Sequence, residues 1–328
     1  MSGKVLITSG PFVRAASGQD DSLREASQIL KDAGLEIVAI NKGDNEYRVE
    51  DFKDIMPGVG AVIAGGEPWN EEWFKISPDL KLIARFGVGY DAVDIAKAKE
   101  YGILVTNTRV HELSNGVAEL ALGLTLAVYR KIAWCCSDMK RGVWQNRSGL
   151  QIQGKTVGIV GFGAIGKCFA SLVQGFGVRL LVNDPFADQN AAKKMNAEIV
   201  PFDQLLAESD IVSLSAPNTP ENRKMFNPSA FAKMKDGAVF VNTARGAMVD
   251  EAALYEALTS GKLLGAGLDV WETEPTPSDN PLLGLDNVVC LPHIAGETKE
   301  STLAMAKCTA RQVVAVFSGQ TPDFILNP

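Results

Sequence analysis

The stretch KTVGIVGFGAIGKCFASLVQGFGVRLLVNDP, residues 155–185, decides the fold of this chain. An apolar strand pattern runs into Gly161, Gly163 and Gly166, which have the spacing G-x-G-x-x-G, and a helical pattern follows. In this arrangement one glycine makes a tight turn, the next lets the backbone approach a pyrophosphate, and the third lets helix and strand pack closely. The free N–H groups at the helix N-terminus bind phosphate. The stretch therefore predicts a dinucleotide-binding βαβ unit.

The second strand of this unit ends in Asp184, which lies about 20 residues after the glycines, at the spacing of the acidic residue that binds ribose hydroxyls. A carboxylate there repels the 2′-phosphate of NADP, and Pro185 and Phe186 offer no cation to hold one. The sequence therefore predicts NAD as the cofactor. The alternative is that Asp184 only caps a turn before Pro185.

Short apolar runs rich in β-branched residues alternate with helical patterns along almost all 328 residues. This alternation indicates the α/β class, with two Rossmann-like or flavodoxin-like domains built on parallel sheets. One series of strand patterns lies before Asn107 and the other lies between residues 155 and 292. A long helical pattern at residues 115–142 separates the series, and a last one follows residue 298. We expect an NAD domain, 107–296, inserted into a substrate domain formed by 1–106 and 297–328.

The composition excludes several classes of function. The formal net charge is −7, which disfavours nucleic acid and anionic membrane surfaces as partners. The longest apolar stretch, VAELALGLTLAVY at residues 117–129, is shorter than the roughly 20 residues of a membrane span. The five cysteines are odd in number and form no CxxC pair, which favours buried, reduced thiols over disulfides or a metal site. We expect a cytoplasmic protein without a metal.

Three charged residues follow strands of the second series. Arg245 follows AVFVNTA, Glu274 closes LDVWETEP, and His293 follows NVVCLP. Singly, they could be a surface ion pair, a solvated loop residue and a core histidine. Together, at the carboxyl ends of strands in one sheet, they predict an active site with a carboxylate-binding arginine and a histidine acid/base oriented by a carboxylate. The second histidine, His111, lacks such support and fits a structural or rim role.

Several long motifs, in order, resemble the D-isomer-specific 2-hydroxyacid dehydrogenases over almost the whole chain. They are GFGAIG with NDP, NTARGAMVDEAALYEAL, GAGLDVWETEP, LDNVVCLPHIAGETKE and FGVGYDAVD. The resemblance implies a discontinuous substrate domain, an inserted NAD domain and a dimer, or dimer of dimers, built on the connecting helix region. It also implies that Arg245 binds the substrate carboxylate and keto oxygen, that His293 is the acid/base, and that Glu274 is the partner of His293.

The resemblance implies further contacts. Thr243, Ala244 and Asp269 would touch the nicotinamide end, and the backbone around Val88 would bind the substrate carboxylate. The full set of expected cofactor-binding residues is Gly161, Gly163, Ala164, Ile165, Gly166, Asp184, Ala216, Pro217, Thr243, Ala244, Arg245, Asp269, His293, Ala295 and Gly296. The expected substrate-binding residues are Gly65, Gly66, Val88, Gly89, Arg245 and His293.

Within the family the chain is most similar to the short phosphoglycerate dehydrogenases, and Glu274 argues against the formate dehydrogenase branch, which has glutamine there. Two departures concern the substrate end. Gly65 and Gly66 replace an Arg-Ser pair, and the loop NTRVHELSNGVAE lacks the usual Pro-Gly after NT. The alternatives are a hydroxypyruvate or glyoxylate reductase and, from another class, an NAD-sensing binding protein of the co-repressor type. The sequence leaves open which 2-hydroxy acid is used, whether it is phosphorylated, and the working direction.

Overall fold

The computed structural model describes residues 3–16, 21–40 and 47–328. The chain divides into two compact units, Met1–Leu113 with Gly296–Pro328, and Ser114–Ala295. Residues 107–113 and Gly296 therefore belong to the first unit, whereas the sequence analysis assigned them to the NAD domain. The reason is that Asn107 and Thr108 are buried in the first unit, where their side chains bond to the turn at residues 87–88.

The first unit is built on a parallel five-stranded sheet in the order β2-β1-β3-β4-β5. Its strands are β1 (Gly3–Ile7), β2 (Leu35–Ala39), β3 (Val59–Ala64), β4 (Leu82–Arg85) and β5 (Leu104–Thr106). Its helices are α1 (Gly10–Ala16), α2 (Arg24–Asp32), α3 (Glu71–Lys75), α4 (Ile95–Glu100) and a C-terminal helix, Lys299–Phe317. This is the flavodoxin-like strand order, in which the direction of winding changes between the first and third strands.

The core of the first unit lies on both faces of this sheet. On one face, Ala306, Ala310 and Val313 of the C-terminal helix pack with apolar residues of β1, β3, β4, α1 and α2. On the other face, Trp69 and Trp73 are fully buried, and their ring centroids are 5.0 Å apart. Burial on both faces explains why these strands read as continuous apolar runs.

The second unit is built on a parallel seven-stranded sheet in the order β12-β11-β10-β9-β6-β7-β8. Its strands are β6 (Thr156–Val160), β7 (Arg179–Asn183), β8 (Ala197–Ile199), β9 (Ile211–Leu214), β10 (Ala238–Asn242), β11 (Leu263–Leu268) and β12 (Val288–Cys290). Its helices are the second part of α5 (His111–Tyr129), then α6 (Ile132–Lys140), α7 (Ala164–Gln174), α8 (Gln189–Lys194), α9 (Phe202–Glu208), α10 (Pro228–Lys233) and α11 (Glu251–Thr259). The two parallel sheets confirm the predicted α/β class.

The helical pattern at residues 115–142 forms two helices rather than one. Lys131, with a φ of 54°, interrupts it in the left-handed region, and α5 and α6 meet there at a bend of 66°. Among the described residues no single helix has the length and apolarity to cross a membrane, and only this bent pair, taken together, passes a test of length and composition.

All five cysteines are free thiols. The expectation that they are buried is wrong for Cys136, which is exposed on α6, and the other four are only partly buried. Burial raises the pKa of Cys290 and that of Cys308 to about 11. In the described parts of the chain, no three His, Cys, Asp or Glu side chains are grouped so that they could hold a metal ion.

Candidate active site

The glycine turn after β6 has the shape that a pyrophosphate requires. Gly161 has a φ of +95°, and a Cβ there would lie 2.5 Å from the backbone nitrogen of Ala216. A Cβ at Gly166 would lie 2.1 Å from the carbonyl oxygen of Gly161. By contrast, apart from its two neighbours in the chain, no described residue has an atom within 4 Å of a Cβ built on Gly163, which caps the N-terminus of α7. The backbone at Gly163 is therefore open to a ligand, and the turn fits the phosphates of a dinucleotide.

Asp184 is tied to this turn. One carboxylate oxygen accepts a hydrogen bond from the backbone N–H of Phe162 at 2.7 Å, and the other accepts one from Phe186 at 2.8 Å. The second contact is the turn cap that the sequence left open, and the first holds the end of β7 against the glycine turn. The carboxylate thus lies at the end of β7, directly beside the glycine turn.

The end of β10 is shaped by Asn242, a buried residue that the sequence analysis did not select. Its side-chain amide donates to the carbonyl oxygen of Arg245 at 3.0 Å, and its side-chain oxygen accepts from the N–H of Ala244 at 2.9 Å. These bonds fold residues 243–245 into a turn beyond the strand. The hydroxyl of Thr243 in this turn is buried and has no hydrogen-bond partner among the described residues.

His293 and Glu274 form a close pair. The Nδ1 of His293 lies 2.6 Å from Oε2 of Glu274, and Oε1 of Glu274 accepts the backbone N–H of Trp271 at 3.0 Å. The hydrogen bond to Glu274 raises the pKa of His293, against the effects of burial and of the Arg245 guanidinium. Burial works to raise the pKa of Glu274, but its hydrogen bonds to His293 and Trp271 outweigh this and lower it. The charged imidazolium–carboxylate pair is therefore favoured.

Asp269, at the end of β11, fixes the turn that carries His293. This fully buried carboxylate accepts the N–H groups of Ile294 and Ala295, both at 2.8 Å. The backbone carbonyl of Asp269 accepts the N–H of His293 at 2.7 Å. Burial raises the pKa of Asp269, although the two N–H donors oppose it. Asp269 thereby holds His293 at a φ of 56°, a conformation that few residues other than glycine adopt.

Arg245 completes this group of side chains within the second unit. Its Nη1 donates to the carbonyl oxygen of Ala244 at 2.6 Å, and its charge acts on the pKa of both His293 and Glu274. The structure therefore brings together Arg245, Glu274 and His293, the three residues chosen from the sequence.

The candidate substrate residues of the first unit lie beyond the carboxyl ends of β3 and β4. The N–H of Gly65 donates to Oγ1 of Thr8 at 3.1 Å. The carbonyl of Val88 accepts from the side chain of Asn107 at 2.8 Å, and that of Gly89 accepts Nε of Arg85 at 3.2 Å.

His111 is the exposed first residue of α5 and belongs to the first unit, and Gly296 also lies in that unit. Ala216 and Pro217 follow β9, where the N–H of Ser215 donates to the carbonyl of Val160 at 2.7 Å. They therefore lie beside the glycine turn.

Residues 122–295 match the family described as D-isomer specific 2-hydroxyacid dehydrogenase, NAD binding domain. The chain belongs to this family. The second unit is accordingly an NAD-binding domain, which confirms the cofactor predicted from the glycine spacing.

This member of the 2-hydroxyacid dehydrogenase family is similar to relatives that have different activities. It is 38% identical over 297 residues to a D-3-phosphoglycerate dehydrogenase of Archaeoglobus fulgidus, covering 90% of this chain and 56% of the relative. It is 40% identical over 285 residues to a hydroxypyruvate reductase of Thermotoga maritima, covering 85% and 90%. A structure of D-lactate dehydrogenase from Aquifex aeolicus, complexed with NAD and lactic acid, superposes with a TM-score of 0.83 at 29% identity, covering 99% of each chain.

The chain therefore spans little more than half of the archaeal phosphoglycerate dehydrogenase but nearly all of the hydroxypyruvate reductase.

We expect Glu274→Gln to lower the pKa of His293, because a neutral amide removes the negative charge that stabilises the imidazolium. The measurement is an NMR titration of the imidazole protons. In the unsubstituted protein the ring should titrate above 6.5, its ordinary value, and in the variant at a lower pH. His111 is the only other histidine and serves as the internal control. An unchanged midpoint for His293 would show that the pair does not set its protonation.

Proposed function

We propose that this chain is an NAD-dependent oxidoreductase that interconverts a small 2-hydroxy acid and its 2-oxo acid. The observation that carries the proposal is the contact between Nδ1 of His293 and Glu274, with Arg245 beside them. Because Glu274 occupies Nδ1, Nε2 is the ring atom that remains for exchange of a proton with substrate.

The fit of the glycine turn supports NAD binding at the residues that the family resemblance selected, with the pyrophosphate on Gly161, Gly163 and the N-terminus of α7. In this proposal Asp184 binds the adenosine ribose and disfavours NADP. NAD, when bound, supplies the site that accepts or gives the hydride. The other proposed contacts are those of Ala164, Ile165, Gly166, Ala216, Pro217, Thr243, Ala244, Asp269, Ala295 and Gly296.

The proposed work of the site residues follows from their contacts. During reduction of a 2-oxo acid, Nε2 of His293 donates a proton to the substrate oxygen, and during oxidation it takes the proton back. Glu274 keeps the ring oriented and stabilises its charged form. The guanidinium of Arg245 binds the substrate carboxylate through two parallel hydrogen bonds and polarises the adjacent carbonyl. The first unit contributes substrate contacts at Gly65, Gly66, Val88 and Gly89.

A hydroxypyruvate or glyoxylate reductase is the alternative that one observation favours over a phosphoglycerate dehydrogenase. Positions 65 and 66, at the proposed substrate end, carry no side chain that could hold a phosphate. If the chain is instead an NAD-sensing binding protein, it should bind NADH without turnover.

Turnover tests the proposed function. A panel of glyoxylate, hydroxypyruvate, pyruvate and 3-phosphohydroxypyruvate, followed by NADH absorbance, should show reduction of at least one 2-oxo acid. His293→Ala should lower kcat by about 10²–10⁴-fold, because proton transfer is lost, while the Kd for NADH changes little. His111→Ala is the matched control and should retain kcat. Tight NADH binding with no turnover on the whole panel would support the binding-protein reading instead.

Gly163→Val tests the cofactor site separately from the chemistry. Because the Cβ position at Gly163 is open and its φ is −74°, the fold should tolerate the side chain. The valine would occupy the space next to the phosphates, so the Kd for NADH should rise about tenfold or more. Fluorescence titration with NADH measures this. Gly284→Val, at another open position of the same unit, is the control and should bind NADH normally.

We also propose that the protein is a cytoplasmic homodimer, or a dimer of such dimers, associated through α6 and the segment that follows it. Several large apolar side chains are exposed there, among them Ile132 at 53%, Met139 at 54% and Trp144 at 82%. The segment is held in place because the buried carboxylate of Asp138 accepts hydrogen bonds from Arg141 and Arg147. An ordered apolar surface of this kind is typical of an interface. Free cysteines agree with a reducing compartment.

Trp144→Ser should shift the protein towards monomer, because an exposed indole is the largest apolar group that a partner copy would bury. Sedimentation velocity over a range of concentrations measures the mass. Phe186→Ser removes another highly exposed aromatic side chain of the second unit and should leave the mass unchanged. Equal masses for both variants would contradict this choice of interface.

A further inference from the structure

The first unit has its own crevice, at the point where its sheet changes winding direction. In the order β2-β1-β3-β4-β5 that point lies between β1 and β3, and open α/β sheets bind ligands there, beyond the carboxyl ends of the strands. Thr8 follows β1, and Gly65 and Gly66 follow β3. The next residue, Glu67, is 1% exposed, which is unusual for a carboxylate.

Glu67 is connected to the backbone of this crevice. Its Oε1 accepts hydrogen bonds from the hydroxyl of Thr8 and from Nε1 of Trp69, the latter at 3.0 Å. The Thr8 oxygen in turn accepts the N–H of Gly65 at 3.1 Å. A chain of hydrogen bonds thus runs from the Gly65 backbone through Thr8 to the carboxylate.

The second oxygen of Glu67 has no such support. Oε2 is buried and has no hydrogen-bond partner among the described residues, and it lies 3.1 Å from the place where a Cβ on Gly65 would be. An unpaired buried oxygen has a free-energy cost, which suggests a role other than stability. None of the chemistry proposed for His293, Glu274 and Arg245 uses it.

No described residue around Gly65 and Gly66 donates a hydrogen bond to Oε2 of Glu67. Gly66 is exposed, and apart from its two neighbours in the chain no described residue has an atom within 4 Å of a Cβ built on it. Arg85, at the end of β4, donates from Nε and Nη1 to the carbonyl oxygens of Gly89 and Ala64. Its guanidinium therefore joins the ends of two neighbouring strands.

We propose that Glu67 is a specificity-determining residue that excludes a phosphate group from the β1/β3 crevice, so that the substrate is an unphosphorylated short 2-oxo or 2-hydroxy acid. This rests on the proposed function. A phosphate beside Gly65 and Gly66 would approach a buried like charge, and such juxtapositions are strongly unfavourable where water is excluded. A substrate that has a hydrogen atom or a hydroxyl group at the same position is uncharged there and is not repelled by Glu67.

The test compares kcat/KM for hydroxypyruvate with kcat/KM for 3-phosphohydroxypyruvate, both with NADH. The unsubstituted protein should prefer hydroxypyruvate. Glu67→Gln keeps an acceptor for Thr8 and Trp69 but removes the charge. It should lower the ratio of kcat/KM for hydroxypyruvate to kcat/KM for 3-phosphohydroxypyruvate about tenfold. Glu72→Gln removes an equal charge from an exposed position of α3 and is the matched control, which should keep the preference.

A preference of the unsubstituted protein for the phosphorylated substrate would overturn the inference, as would equal ratios in the two glutamine variants. If Glu67→Gln does not fold, Gly66→Arg provides the second test, because it adds a cation at an open position and should raise relative kcat/KM for 3-phosphohydroxypyruvate. No gain in that variant would overturn the inference. Absence of turnover on both substrates and on the rest of the panel would be a failure of the proposed function, and is thereby distinguished from a failure of the role of Glu67.

Discussion

The two hydrogen bonds that the Asp269 carboxylate accepts from Ile294 and Ala295 are the constraint on which the site in the second unit depends. They turn the chain sharply after β12 and, with the third bond from the N–H of His293, hold that residue in a left-handed conformation. Backbone strain of this kind persists only where the surroundings fix it. The imidazole is therefore presented to Glu274 by buried bonds rather than by the half-exposed contact between the two side chains.

The sheets of both units contain a point at which neighbouring strands are not consecutive in the chain. In the second unit β6 and β9 are neighbours although they are not consecutive, and the glycine turn lies at their carboxyl ends. In the first unit β1 and β3 are neighbours in the same way, and Glu67 lies beyond them. At such points the connections that follow the two strands run to opposite faces of the sheet and leave a crevice between them. Open α/β sheets bind their ligands in this crevice. One unit has open backbone at this point, whereas the other has a buried carboxylate.

The fold and much of the site were predictable because their signals are local. A glycine spacing, strands buried on both faces, and charged residues directly after strands all appear within a few residues of sequence. The edge strand β8 gives no such signal, because Glu198 and Ile199 are exposed and leave no apolar run. The break at Lys131 has no glycine or proline to announce it.

Residues whose role is to fix the position of other residues were harder to identify from the sequence. Asn242 was not selected, and Asp269 was selected only for a nicotinamide contact, because both bond to backbone groups in turns whose shapes only the fold defines. Glu67 was overlooked for a similar reason, since its burial depends on Thr8 and Trp69, which approach it only in the folded unit.

The distribution of thiols has a practical consequence. Cys136 is exposed on α6, whereas Cys290 and Cys308 are partly buried and their raised pKa keeps them protonated near neutral pH. The thiolate is the species that attacks maleimide or methanethiosulfonate reagents, so these reagents should react at α6 well before they reach those two positions. A spectroscopic label could thus be attached to α6, on the proposed subunit contact itself, with no cysteine added or removed.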